Sequence, residues 1–135
     1  MLSRQAASAE VRELLGEDDE VTVWWGTWAE CAVAISRLKH EGRLDDESEA
    51  NSRTRLDRLA AEWVEIEPAN DLRLLASIIS KDHHLKTADC FQLAAALRWC
   101  EGGTDGRSFV CLDERLRRAA TEEGFGVLPG ASGVA

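Results

Sequence analysis

The sequence predicts an α/β domain, a sandwich of helices against a mostly parallel sheet. Two observations carry that reading. Short runs rich in β-branched and aromatic residues alternate with longer amphipathic runs, the pattern of strands crossed over by helices. The run from Ala88 to Cys100 is apolar almost all round, as a helix buried against a sheet must be. A chain of 135 residues has enough material for one substantial core and too little for two.

In chain order, Ser8 to Leu15 reads as a short helix with Val11, Leu14 and Leu15 on one face and Gly16 at its end. Glu20 to Trp25 (E-V-T-V-W-W) reads as a strand. A helix from Trp28 to His40 is closed by Gly42. A more polar helix from Asp45 to Glu62 buries Leu56, Leu59, Ala60 and Trp63. Trp63 to Glu67 is a short strand stopped by Pro68. Leu72, Leu75, Ala76 and Ile79 recur at i, i+3, i+4 and i+7 and mark the next helix. After the apolar helix comes a turn cluster, Gly102 to Gly106. Then follow a buried strand from Ser108 to Leu112, a helix from Glu114 to Glu123 stopped by Gly124, and a last strand from Phe125 to Leu128. The expected domain is 1–128, with a loose tail over 129–135. The chain shows no internal repeat, linker or low-complexity block.

Composition narrows the function. Sixteen Lys and Arg against 25 Asp and Glu leave a formal charge of −9, which argues against bulk electrostatic capture of nucleic acid or anionic lipid. It leaves room for carboxylates that hold a metal and for a local basic strip. No run approaches membrane-spanning length, and Met1 to Gln5 lack the apolar segment of a leader, so a cytoplasmic protein without membrane contact is expected. Cys31, Cys90, Cys100 and Cys111 form no C-x-x-C pair and are not spaced with His40, His83 and His84 as zinc ligands, so they read as buried free thiols.

Three acids stand out by placement. Glu30 sits in T-W-A-E after the first strand, Asp89 in T-A-D-C-F-Q-L-A-A-A-L at the mouth of the apolar helix, and Asp113 in F-V-C-L-D-E-R-L directly after a strand. Residues just past strand ends line the crevice where open α/β sheets bind ligands. Three carboxylates there repel one another unless a divalent cation sits among them, and oxygen-only ligation suits Mg²⁺ or Mn²⁺. Each acid also has a structural reading. Thr27 and Glu30 fit a T-x-x-E capping box, Asp89 suits the helix dipole, and Asp113 suits an N-cap.

Taken together, V-T-V-W-W-G-T-W-A-E, L-K-T-A-D-C-F-Q-L-A-A-A-L and F-V-C-L-D-E-R-L-R-R-A-A-T-E-E-G resemble the PIN domain, and within it the VapC-like ribonuclease toxins of toxin–antitoxin pairs. The order and spacing agree over about Ser8 to Leu128. The resemblance implies a three-layer α/β/α fold and a Mg²⁺- or Mn²⁺-dependent endoribonuclease with Glu30, Asp89 and Asp113 as its catalytic, metal-binding acids. It also implies an RNA substrate, a cognate antitoxin covering the acidic crevice, and a homodimer. Two departures stand against the pattern. Cys111 occupies a position where the family usually has Thr or Ser. The family's opening strand, with its first metal-binding Asp, has no counterpart here, because the chain reads as starting after it. Glu10, Glu13 and Glu17 to Glu20 read as solvated rather than as substitutes. Three explanations are open: a start placed too late, a sheet that has closed its gap, or a seam filled by another chain; the first is favoured.

The alternative is a non-catalytic PIN-like interaction module that keeps antitoxin- or self-association surfaces. A flavodoxin-like small-molecule binder ranks last, since no glycine-rich phosphate loop is present. Around the acids, Trp24, Trp25 and Trp28 read first as packing residues and second as a stacking surface for bases. Arg115, Arg117 and Arg118 read either as a patch for substrate phosphates or as partners of Glu114, Glu122 and Glu123 on their own helix. His83 and His84 read first as a solvated loop pair and second as an aid to proton transfer.

Overall fold

The computed structural model describes residues 21–130. The helix expected over Ser8–Leu15, the acids from Glu10 to Glu20 and the end of the tail lie outside the described residues. Within them the chain is α/β, with five helices and four three-residue strands. The order is β1 (Thr22–Trp24), α1 (Thr27–His40), α2 (Asp46–Glu62), β2 (Val64–Ile66), α3 (Asn70–Asp82), α4 (Thr87–Trp99), β3 (Ser108–Val110), α5 (Glu114–Glu122) and β4 (Gly126–Leu128).

The strands form two parallel pairs. β1 lies on β2 with Thr22 opposite Val64 and Trp24 opposite Ile66. β3 lies on β4 with Ser108 opposite Gly126 and Val110 opposite Leu128. Parallel neighbours need a crossover, which α1 and α2 supply for the first pair and α5 for the second. Among the described residues no strand joins the two pairs.

Local chemistry accounts for the helix ends. Asp45 caps α2 by accepting from the Ser48 N–H at 2.7 Å. At the end of α1, Gly42 takes φ +73 while its N–H bonds to the Lys39 carbonyl, a left-handed stop that glycine adopts without strain. Gly124 does the same after α5 at φ +101, and a Cβ there would collide with the Thr104 hydroxyl. Trp63, expected to open a strand, instead ends α2 as its C-cap and is buried there.

The core is built around α4. Its buried residues are Asp89, Cys90, Gln92, Leu93, Ala94, Ala95 and Ala96, so one short helix is enclosed on nearly every side. α3 packs along it through Leu72, Ala76 and Ile79, all buried. α1 packs on α2, α5 on β4, and α4 meets both β1 and α5. The alanine run of α4 lets neighbouring backbones approach closely, while Leu93 supplies bulk. β1 docks on this helix by stacking Trp24 on Phe91, with centroids 5.0 Å apart and planes 9° off parallel. Val23 faces the other side of the strand and is also fully buried, so β1 is covered on both faces.

Leu93→Ala therefore removes a fully enclosed side chain from the centre of the molecule. The expected cost is about 2–5 kcal/mol, read as a lowered urea midpoint at unchanged slope.

Candidate functional site

The N-terminal turn of α1 places the first acid. Gly26 precedes the helix and Thr27 is its first residue, with no side-chain cap bond. The expected capping box is therefore not formed, because the threonine of such a box must sit one position earlier, outside helical geometry. The Thr27 hydroxyl is instead fully buried with no hydrogen-bond partner. Glu30, one turn on along the same face, points across to α4. There Gln92 Nε2 donates to both of its carboxylate oxygens, at 3.2 and 3.1 Å.

Gln92 was not singled out by sequence reasoning. It is fully buried, and its own Oε1 has no hydrogen-bond partner. A glutamine three residues after an acid in an otherwise apolar helix is the one signal that marks it, since i and i+3 share a face. That face carries Asp89, which is 4% exposed. Thr27 and Glu30 on α1 thus oppose Asp89 and Gln92 on α4. Thr22 contributes one more buried hydroxyl without a hydrogen-bond partner. It shares the Trp24 side of β1, the side that faces α4, because alternate strand residues point the same way. Burying so many polar atoms in one place costs free energy unless they are satisfied.

Asp113 is placed by the end of β3. Its Oδ1 accepts from the Leu116 N–H at 3.0 Å, so it is the N-cap of α5, as one of its two readings expects. Cys111 lies between the second and third acids. Its fully buried thiol is pushed up to about 12 by burial, with Arg117 opposing and the charges of Asp113 and Asp89 adding to the rise. Both charges disfavour a thiolate at Cys111. The Gln92 contact brings Glu30 to the Asp89 face of α4, and Asp113 follows Cys111 by two residues as the N-cap of α5. Among the described residues, no three His, Cys, Asp or Glu side chains converge closely enough to hold a metal ion.

Among the neighbouring cations and histidines, Arg117 and His83 depart from the readings of their sequence. Arg117 reaches none of the glutamates of α5. It donates to the carbonyls of Cys111 at 2.8 Å and Pro129 at 2.7 Å, tying the ends of β3 and β4 together. His83 is not solvated: its side chain is 7% exposed, with Nδ1 3.1 Å from Glu122 and Nε2 2.9 Å from Glu123. His84 stays exposed. A cleft of about 320 Å³ opens between Asp82, His83 and His84 on one side and Arg115, Arg118, Ala119 and Glu122 on the other. Of the tryptophans near Glu30, Trp24 packs, whereas Trp25 and Trp28 are 53% and 43% exposed. Trp28 donates to Asp57 at 3.4 Å.

Three of the four cysteines are buried and Cys100 is half-buried, and none is paired, as expected. No helix among the described residues is long and apolar enough to cross a membrane. Comparison with protein-family models and with curated proteins gives no match.

Two outcomes follow for Cys111. At pH 8 only about one thiol in 10⁴ would be ionised, so the group resists disulfide reagents until the protein unfolds. Its pKa is raised above the ordinary value of 9.0 to about 12 in the fold. Its contribution to stability is thus complete below about pH 9 and falls away as pH rises towards 12, because the unfolded chain ionises first. Denaturation midpoints of C111A should decline less steeply than the parent's over that window. Equal slopes would show that Cys111 is not the titrating group.

Proposed function

We propose that the chain is a divalent-metal-dependent endoribonuclease of the PIN, VapC-like kind, with Glu30, Asp89 and Asp113 as its metal-binding acids. The observation that supports it best is the polar interior at the mouth of α4. A buried Asp89 and a fully buried Gln92 sit in an otherwise apolar helix, opposite Glu30 and Thr27. Polar groups buried in an apolar helix are kept only where they are hydrogen-bonded, paired or hold a metal, and carboxylates facing one another across two helices suit the last of these. The two parallel strand pairs are read as halves of the central sheet in a three-layer sandwich.

The donor chemistry fits a small hard cation. The candidate ligands are carboxylate oxygens, and the buried Thr27 Oγ1 and Gln92 Oε1 beside them are oxygens without a hydrogen-bond partner. When bound, Mg²⁺ or Mn²⁺ would lower the pKa of water and stabilise charge on the phosphate. The residues themselves hold and orient. Gln92 fixes both oxygens of Glu30, the α4 backbone fixes Asp89, and the cap bond to Leu116 fixes one oxygen of Asp113. The apolar helix around Asp89 keeps bulk water away and so strengthens every electrostatic interaction there. An antitoxin as inhibitor and a homodimer belong to the same reading.

A second reading is favoured by the Glu30–Gln92 contact itself. An amide that already donates to both oxygens replaces some of what a cation would supply, as expected of a non-catalytic interaction module built on this fold.

The two readings separate by calorimetry and cleavage. E30Q, D89N and D113N should each lower Mn²⁺ affinity by on the order of 10²-fold, at least as much as the loss of an outer-shell partner, and should lower RNA cleavage with it. D113N retains a good N-cap, so its loss would not be a folding defect. Parent-like Mn²⁺ binding in all three variants would remove the metal site, and a parent that binds partners without cutting RNA would establish the second reading.

A further inference from the structure

The cleft beside α5 has a charge arrangement that neither the fold nor the acid site needs. Arg115 and Arg118 lie on one face of that helix, three residues apart, and line the cleft with Ala119 and Glu122. Arg117 points to the far side, where both of its hydrogen bonds go to the carbonyls at the strand ends. Arg115 and Arg118 are exposed and enter no ion pair among the described residues. Two arginines without ion-pair partners thus line one concavity.

Two carboxylates share the cleft, Asp82 and Glu122. Glu122 is the i+4 neighbour of Arg118 and would ordinarily pair with it. No ion pair joins them: Glu122 lies 3.1 Å from His83 Nδ1, while His83 Nε2 hydrogen-bonds Glu123 at 2.9 Å. His84, exposed on the opposite wall, adds a third nitrogen-bearing side chain. The walls of the cleft also lead to the candidate acids. The histidine loop runs directly into α4 and Asp89, and α5 is the helix that Asp113 caps. Arg115 and Arg118 stand about 3 and 8 Å along the helix axis from Asp113 by helical rise.

We propose that this cleft is a phosphate seat: Arg115 and Arg118, with His84 facing them, grip a backbone phosphate of a single-stranded RNA. This rests on the nuclease reading for the identity of the ligand, and on the cleft alone for its phosphate chemistry. Arginine suits the task because its fork donates two parallel hydrogen bonds to phosphate oxygens.

The test uses the full chain in EDTA, so that binding is read apart from any metal. A fluorescent 2′-O-methyl RNA oligonucleotide is titrated by anisotropy across a salt series, and inorganic pyrophosphate by calorimetry. R115A/R118A should weaken oligonucleotide binding about tenfold or more at low salt. It should also flatten the log K against log salt slope by about 1.4, or about 0.7 for each single-strand phosphate no longer neutralised. R115K/R118K should keep most of the slope, and E122Q should bind more tightly than the parent. Parent-like affinity and slope in R115A/R118A, with its fold intact by circular dichroism, would overturn the seat even if the chain cuts RNA. Arginine-dependent pyrophosphate binding by a parent that neither binds nor cuts RNA would uphold the seat and remove the nuclease reading. A parent that binds neither probe would overturn the seat.

Discussion

Everything in this molecule is arranged around the enclosure of α4. A thirteen-residue helix with seven buried positions must be packed on all sides, and its neighbours are chosen accordingly. α3 presents Leu72, Ala76 and Ile79 to the core, β1 presents Trp24 to Phe91, and small alanines keep the helix axes close. The same enclosure turns two polar residues into the most consequential on the helix. An aspartate and a glutamine on a solvated face would be ordinary. Here they lie where unsatisfied polar atoms are costly, and the glutamine answers by grasping Glu30 from α1. The polar junction therefore ties α1 to α4 through Glu30 and Gln92.

The C-terminal third obeys a different constraint, that of closing a short parallel pair. β3 and β4 are three residues each, too short to be held by ladder hydrogen bonds alone. Arg117 supplements the ladder by donating to a carbonyl beyond the end of each strand, and Phe109 packs on Phe125 between them. With Arg117 committed inward, α5 turns Arg115 and Arg118 outward. His83 hydrogen-bonds Glu123, and neither arginine forms an ion pair with an acid of its own helix. The charge pattern of the cleft is a consequence of how the strands are closed.

The buried Cys111 marks where these two constraints meet. It sits at the end of β3, under the influence of Asp89 from the central helix and of Asp113 at the cap of α5. A thiol tolerates such a place because it stays neutral, whereas a group that had to become an anion there would be opposed by burial and by both carboxylates.

The elements were legible in the residue order. Hydrophobic period, glycine stops and β-branched runs locate each described helix and strand to within a few residues, because those signals are local and the helices are strongly patterned. Asp113 as an N-cap and the burial of the alanine helix were legible for the same reason. The shift of Thr27 from cap to first helical residue was not, because one residue of register depends on how β1 delivers the chain into α1. Nor was the destination of any long polar side chain. Arg117 left its glutamates for distant carbonyls, His83 left solvent for α5, and Gln92 found an acid sixty-two positions away. The sequence alone determined which segments are helical, which are extended and which faces are apolar, since neighbours a few residues apart decide those. Only the tertiary structure decided who meets whom, since a flexible polar side chain has many possible partners and packing of the core selects among them.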